Sequence, residues 1–138
     1  MKKLITTLLA LCLTTTASFS DVKLGIIIGF TGPIESLTPD MAAGAELAID
    51  EVNKSGSFSM GKVSGIRADS TCIDSSAATA AAERLITSDK VNGIMGADCS
   101  GVTTAILQQV ALANGMVMVS PSATSPALST VEDNNLFF

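Results

Sequence analysis

The chain has no histidine, no tyrosine and no tryptophan, and only five phenylalanines in 138 residues. Without an imidazole there is no Ser–His–Asp or Cys–His nucleophile pair, and a zinc site would lack its usual nitrogen ligand. Without a phenol, tyrosine acid–base chemistry is excluded. Basic residues are few, eight Lys and Arg against thirteen Asp and Glu. They form no basic patch, so a nucleic-acid partner is disfavoured on electrostatic grounds. Long apolar runs are also missing: Leu4 to Leu13 falls well short of the roughly 20 residues that span a bilayer.

That short run suits export. Lys2 and Lys3 precede it, and the small polar stretch Thr14 to Ser20 follows, with Ser18 and Ser20 placed for cleavage before Asp21. Residues 1–20 are therefore expected to be a secretory signal and residues 21–138 the mature lobe, most simply periplasmic. Cys12 lies in the apolar run, but Leu11 stands where a lipoprotein signal wants a small residue, so no lipid anchor is expected. Without Lys2 and Lys3 the mature charge is 6 basic minus 13 acidic, or −7. Two cysteines remain, Cys72 and Cys99, in a compartment where disulfides persist. If paired, they close a loop worth about 3.5 kcal/mol in the chain-entropy treatment. If not, they are two buried thiols. Too few cysteines remain for a closed zinc site, and no metal or cofactor is expected.

Val22 to Gly29, "VKLGIIIG", is continuously apolar, as in a strand buried on both faces of a parallel sheet. Asp40 to Ser55 reads as a helix with Met41, Ala45, Ala48 and Val52 on one face and Gly56 as its stop. Lys62 to Asp69 reads as a weaker strand. Asp74 or Ser75 can cap a helix from Ser76 to Thr87, whose alanines would let it lie close to a sheet. Val91 to Met95 is a third strand and Ser100 to Asn114 a third helix, with Val102, Ile106, Val110 and Ala113 on one stripe. Met116 to Val119 is a fourth strand. Strand–helix alternation with right-handed crossovers predicts an α/β fold, a doubly wound parallel sheet covered on both sides. Leu136 to Phe138 reads as a further strand being entered, so the chain is expected to be the first part of a longer one.

In such sheets ligands bind beyond the carboxyl ends of the strands. Three exits are candidates: Phe30 to Asp40, Gly96 to Gly101 and Val119 to Leu128. Ser100 opens the third helix, where free N–H groups and the helix dipole favour an anion; it would also serve as a plain N-cap. Ser120, Ser122 and Thr124 sit in a proline-bounded loop. Their hydroxyls can meet a carboxylate and an ammonium together without carrying charge, or can simply satisfy their own backbone.

"VKLGIIIGFTGP", "MAAGAELAIDEVNKSG", "DSTCIDS", "GIMGADCSG" and "MVSPSATSPALS" occur in order across residues 22–138. Together they resemble the exported type I solute-binding proteins of ABC transporters, with the leucine/isoleucine/valine-binding group the nearest. The resemblance implies two Rossmann-like lobes that close on a ligand, this chain being most of the first. It implies that Cys72 and Cys99 form a disulfide. It also implies a ligand site at Ser100, Ser122, Ala123 and Thr124. Ser100 and Thr124 would hold an α-carboxylate, while the Ser122 carbonyl and Thr124 hydroxyl receive an α-ammonium. The implied partners are an amino acid and an inner-membrane permease, with the protein a monomer. Two departures stand out. Leu37 occupies the place where the family often sets an aromatic side chain against the ligand. Asp98 stands where an uncharged residue is usual, and its carboxylate would repel an anionic ligand, pair with a cationic one, or face water.

Other functions fit less well. A nicotinamide enzyme would want G-x-G-x-x-G after the first strand, and Gly29–Phe30–Thr31–Gly32–Pro33 gives only part of it. A serine hydrolase would want G-x-S-x-G and a histidine. Paired carboxylates such as Asp50–Glu51 read as a solvated helix face, so no enzyme is expected. A ligand-sensing receptor or regulator domain of the same fold is the alternative. A purely structural secreted module would leave the hydroxyl-rich exits unexplained.

Overall fold

The computed structural model describes residues 20–138; the expected export signal and Cys12 lie outside the described residues, apart from Ser20. Four strands, β1 (Val22–Ile28), β2 (Val63–Asp69), β3 (Gly93–Gly96) and β4 (Met118–Val119), form one parallel sheet in the order β2–β1–β3–β4. The chain steps from β1 outward to β2, then back across β1 to β3 and on to β4. The direction of winding thus reverses between β1 and β3, and the exits of these two strands flank the crevice. Leu136–Phe138 runs beside β4, with a parallel bridge from Phe137 to Met118. This matches the strand expected there.

The apolar run of β1 is buried on both faces because helices lie on both. Ile26 and Ile28 pack with Ala42, Ala45 and Ile49 of α1 (Thr38–Ser55). Ile27 packs on the other side with Ala78, Ala82 and Leu85 of α2 (Ser75–Thr87) and Val102 and Ile106 of α3 (Ser100–Ile106). Ala78 and Ala82 are fully buried, so the alanine-rich helix does approach the sheet closely. Gly25 completes that approach: a Cβ there would stand 2.8 Å from Leu85 Cδ1.

Several boundaries differ from the sequence reading, each for a local reason. Helix α1 starts two residues early, at Thr38, because Pro39 is tolerated in a first turn and the Thr38 hydroxyl donates to the Gly29 carbonyl at 2.9 Å. Its inward stripe is Thr38, Ala42, Ala45 and Ile49. Ala48 and Val52, expected inside, instead line an open apolar trough of 460 Å³ with Val22, Leu24 and Met95, where α1 leaves part of its sheet face uncovered. Strand β3 begins at Gly93 rather than Val91, since Asn92 is occupied with the backbone of Lys23 at 2.9 and 2.7 Å.

The third helix extends through a π-helical turn at Leu107–Ala111 and a last α-turn at Leu112–Asn114. The wide turn shifts its phase, so Leu107, Val110 and Ala111 are buried while Ala113, expected on the stripe, is exposed. Gly115 ends the helix in the left-handed region at φ 61°, and the Met116 N–H returns to the Ala111 carbonyl. That cap occupies Met116 and shortens β4.

Candidate ligand-binding site

The loops at the carboxyl ends of the strands are stitched together by short polar side chains. Cys99, not Ser100, is the N-cap of α3, and Ser100 is its first helical residue. Relieved of capping, the Ser100 Oγ accepts the N–H groups of Thr124 at 3.0 Å and Ser125 at 3.1 Å. Both bonds use its lone pairs, which leaves the hydroxyl proton to be donated elsewhere. Ser100 therefore ties the loop after β4 to the loop after β3, across 24 residues of sequence.

Ser120 and Ser122 reinforce the same seam. The Ser120 hydroxyl donates to the Ala97 carbonyl at 2.6 Å and accepts the Ala123 N–H at 2.9 Å. The Ser122 hydroxyl donates to the Asp98 carbonyl at 3.0 Å. Ser125 accepts the Ala127 N–H and starts the short 3₁₀ helix Pro126–Ser129. Most hydroxyls of this loop thus serve backbone groups, as the plainer reading of the sequence allowed. Thr124 is the exception: it is exposed, and among the described residues its hydroxyl has no partner.

Cys72 and Cys99 form a disulfide, with Cα atoms 5.2 Å apart. The bond joins the exits of β2 and β3 over the end of β1. Beneath it lies Asp98, only 4% exposed. Its carboxylate accepts the Gly29 N–H at 2.9 Å, the Ser70 hydroxyl at 3.1 Å and the Cys99 N–H at 3.0 Å. The group therefore points inward, away from the three orientations weighed from sequence. Its charge is met by three donors.

The loop after β1 is fixed by Asp69, which accepts the Thr31 hydroxyl at 2.6 Å and the Thr71 N–H at 2.8 Å. Burial alone would raise the Asp69 pKa. The Thr31 hydroxyl and the N–H groups of Thr71, Thr31 and Phe30 outweigh it and hold the carboxyl below its ordinary range. Phe30, the only aromatic residue in the loop, lies 5.3 Å beneath the Arg67 guanidinium, which also pairs with Glu46 at 2.6 and 2.8 Å. The Arg67 hydrogen bond outweighs burial and lowers the Glu46 pKa. Leu37 is 62% exposed at the start of α1. It is on the same edge of the sheet, but no hydrogen bond joins it to the Ser100–Thr124 cluster.

The structure thus links Ser100, Ser122, Ala123 and Thr124 through the seam between the loops after β3 and β4, and leaves Leu37 exposed at the start of α1. What the sequence reading missed is the part of Asp98 and Ser70. Its only signal was a charged residue amid an apolar strand exit. Chemically, the mouth offers one hydroxyl proton and one free hydroxyl, with the nearby Asp98 carboxylate already taken up by three donors of the protein. Such a surface suits a small solute that brings its own charges.

In a parallel α/β sheet ligands bind beyond the carboxyl ends of the strands, and that is the edge at which these polar groups gather. Residues 21–138 match the periplasmic binding protein family, and the chain belongs to that family. It is 31% identical over 121 residues to the Leu/Ile/Val-binding protein homolog 3 of Brucella melitensis, covering 88% of this chain and 32% of that one. It is also 31% identical over 129 residues to the Leu/Ile/Val-binding protein BraC3 of Rhizobium johnstonii, covering 94% and 34%. Among solved structures it is similar to the branched-chain amino acid substrate-binding protein LivJ of Streptococcus pneumoniae in complex with isoleucine. That likeness has a TM-score of 0.76 at 26% identity, over 86% of this chain and 33% of the other. The chain spans about a third of the length of these relatives.

Proposed function

We propose that the protein is the solute-binding component of an ABC importer, capturing an amino acid of the branched-chain type or a similar small polar solute. The observation that carries this reading is the undonated proton of the Ser100 hydroxyl beside the free hydroxyl of Thr124, the two held together by the Ser100 bonds to the Thr124 and Ser125 N–H groups. Ser100 donates to the ligand's α-carboxylate together with Thr124, and the Ser122 carbonyl with the Thr124 hydroxyl receives its α-ammonium. Closure of a second lobe over this one follows from the ligand's better affinity for the closed form. The loaded protein, a monomer in the periplasm after removal of residues 1–20, hands the solute to a membrane permease. No cofactor takes part and no bond is made or broken. The names of the relatives support the amino-acid class, and the polar yet uncharged mouth supports a zwitterion.

Calorimetry on the natural-length mature protein with L-leucine and L-isoleucine tests this. Thr124→Ala is expected to weaken binding about tenfold or more, the loss of one hydrogen bond to a charged group. Ser129→Ala, on the exposed 3₁₀ helix, should change it little. Equal effects would count against the site.

A further inference from the structure

We infer that Asp98 is the positioning residue of the cleft, its carboxylate tying together the exits of β1, β2 and β3 and its backbone carbonyl holding that of β4. This deepens the amino-acid reading above and rests on it for its ligand. Gly29 follows β1, Ser70 follows β2, Cys99 belongs to the exit of β3, and Ser122 belongs to the exit of β4. Asp98 bonds all four: its carboxylate accepts from Gly29, Ser70 and Cys99, and its carbonyl accepts from Ser122. Among the described residues no other forms hydrogen bonds at every exit.

The surroundings are built for a carboxylate. A Cβ at Gly29 would lie 3.3 Å from Asp98 Oδ2 and 3.3 Å from Cys72 Cβ, so the bare glycine backbone lets the carboxylate and the disulfide close over β1. Oδ1 takes two donors and Oδ2 one. An asparagine cannot reproduce this, because its NH₂ would face an N–H whichever way the amide turned. A leucine would leave the buried Gly29 N–H and the half-buried Cys99 N–H without their carboxylate partner.

The consequence reaches the ligand groups through one covalent step and one hydrogen bond. Asp98 fixes the Cys99 N–H, hence the start of α3 and the direction of Ser100. Ser100 in turn holds Thr124 and Ser125. The Ser122 bond to Asp98 sets the same loop from its other end. Asp98 touches no ligand in this account; it determines where the hydroxyls that do so are found.

The test compares Asp98→Asn with Leu85→Ala, a change in the core under α2 that removes none of the hydrogen bonds at the strand exits and lowers stability by at least as much. Binding of L-leucine is measured where both variants are folded, together with backbone amide exchange of the ligand-free proteins. Positioning predicts that Asp98→Asn weakens binding about tenfold or more, whereas Leu85→Ala leaves it within about twofold. It also predicts that exchange at Thr124 and Ser125 rises about tenfold in Asp98→Asn relative to core amides such as Ile27, and does not in Leu85→Ala. Equal losses of affinity in the two variants, or unchanged exchange at Thr124 and Ser125, would overturn the assignment. If the parent protein binds no amino acid, the amino-acid reading falls and the exchange measurement alone judges Asp98. Should Asp98→Asn not fold, Ser70→Ala removes one of the three donors and is read the same way, with about a threefold effect expected.

Discussion

Replacing Cys72 and Cys99 together by serine removes a single covalent link whose contribution follows from the structure. The two residues are 27 apart, and the loop they close contains the whole of α2 and β3. In the chain-entropy treatment that loop restricts the unfolded chain by about 3.5 kcal/mol at 25 °C. The native state changes less, because the strands it joins are already fixed on either side of β1 by backbone pairing. Urea unfolding followed by far-ultraviolet circular dichroism is the assay, run on the mature protein, on the double variant and on the reduced parent. With a urea slope of about 1–3 kcal/mol/M the midpoint should fall by about 1–3 M. The reduced parent and the double variant should agree, since each has lost the same constraint. A loss below about 1 kcal/mol would refute the reasoning, showing that the unfolded chain gains little freedom when the loop opens.

Two further outcomes are expected. Asp69 has a folded pKa below its ordinary 3.8, so its contribution to stability is complete above that value and is lost as pH falls through the folded pKa. Urea midpoints measured from pH 7 downward should therefore show Asp69→Asn with a shallower acid slope below about pH 4, and an unchanged slope would contradict the bonding at Thr31 and Thr71. Asp74 accepts the N–H groups of Ser76 and Ala77 at the start of α2; Asp74→Ala should cost about 1 kcal/mol in the same assay.

The fold was legible because its signals are local. The isoleucines of β1 mark a strand buried on both faces, and the alanines of α2 mark a helix lying close to a sheet. The cap of α2 was readable as Asp74 or Ser75, and Asp74 is the one that takes the place. Phase and junctions were less legible. Nothing local in "LQQVA" announces a π-helical turn, yet that turn decides whether Ala113 or Ala111 faces the core. Of the stripe read on α1, Met41 and Ala45 do pack on the core, while Ala48 and Val52 do not, since only the fold shows that they border an uncovered part of the sheet.

The site was legible as a set of loops and not as a set of bonds. Ser100 looked like a cap because serine often is one, but Cys99 took that place and freed Ser100 to meet Thr124. Whether the hydroxyls of Ser120 and Ser122 face a ligand or a neighbouring carbonyl depends on a loop more than twenty residues away. Asp98 was noticed as a misplaced charge. Its donors lie at the ends of two other strands, which no spacing within the sequence could reveal.

The sheet order also sets a timetable. Of the two inner strands, β1 is the first of the four along the chain, and its closing partner β3 comes far later; Gly29 and Asp98 are 69 residues apart. A polypeptide emerging N-terminus first therefore carries Ile26, Ile27 and Ile28 with nothing to pair against until β2 and then β3 have followed. Such non-local pairing is slow to nucleate, because long loops must close before any contact rewards them. The inner part of the sheet therefore stays open on one side of β1 until β3 has been added.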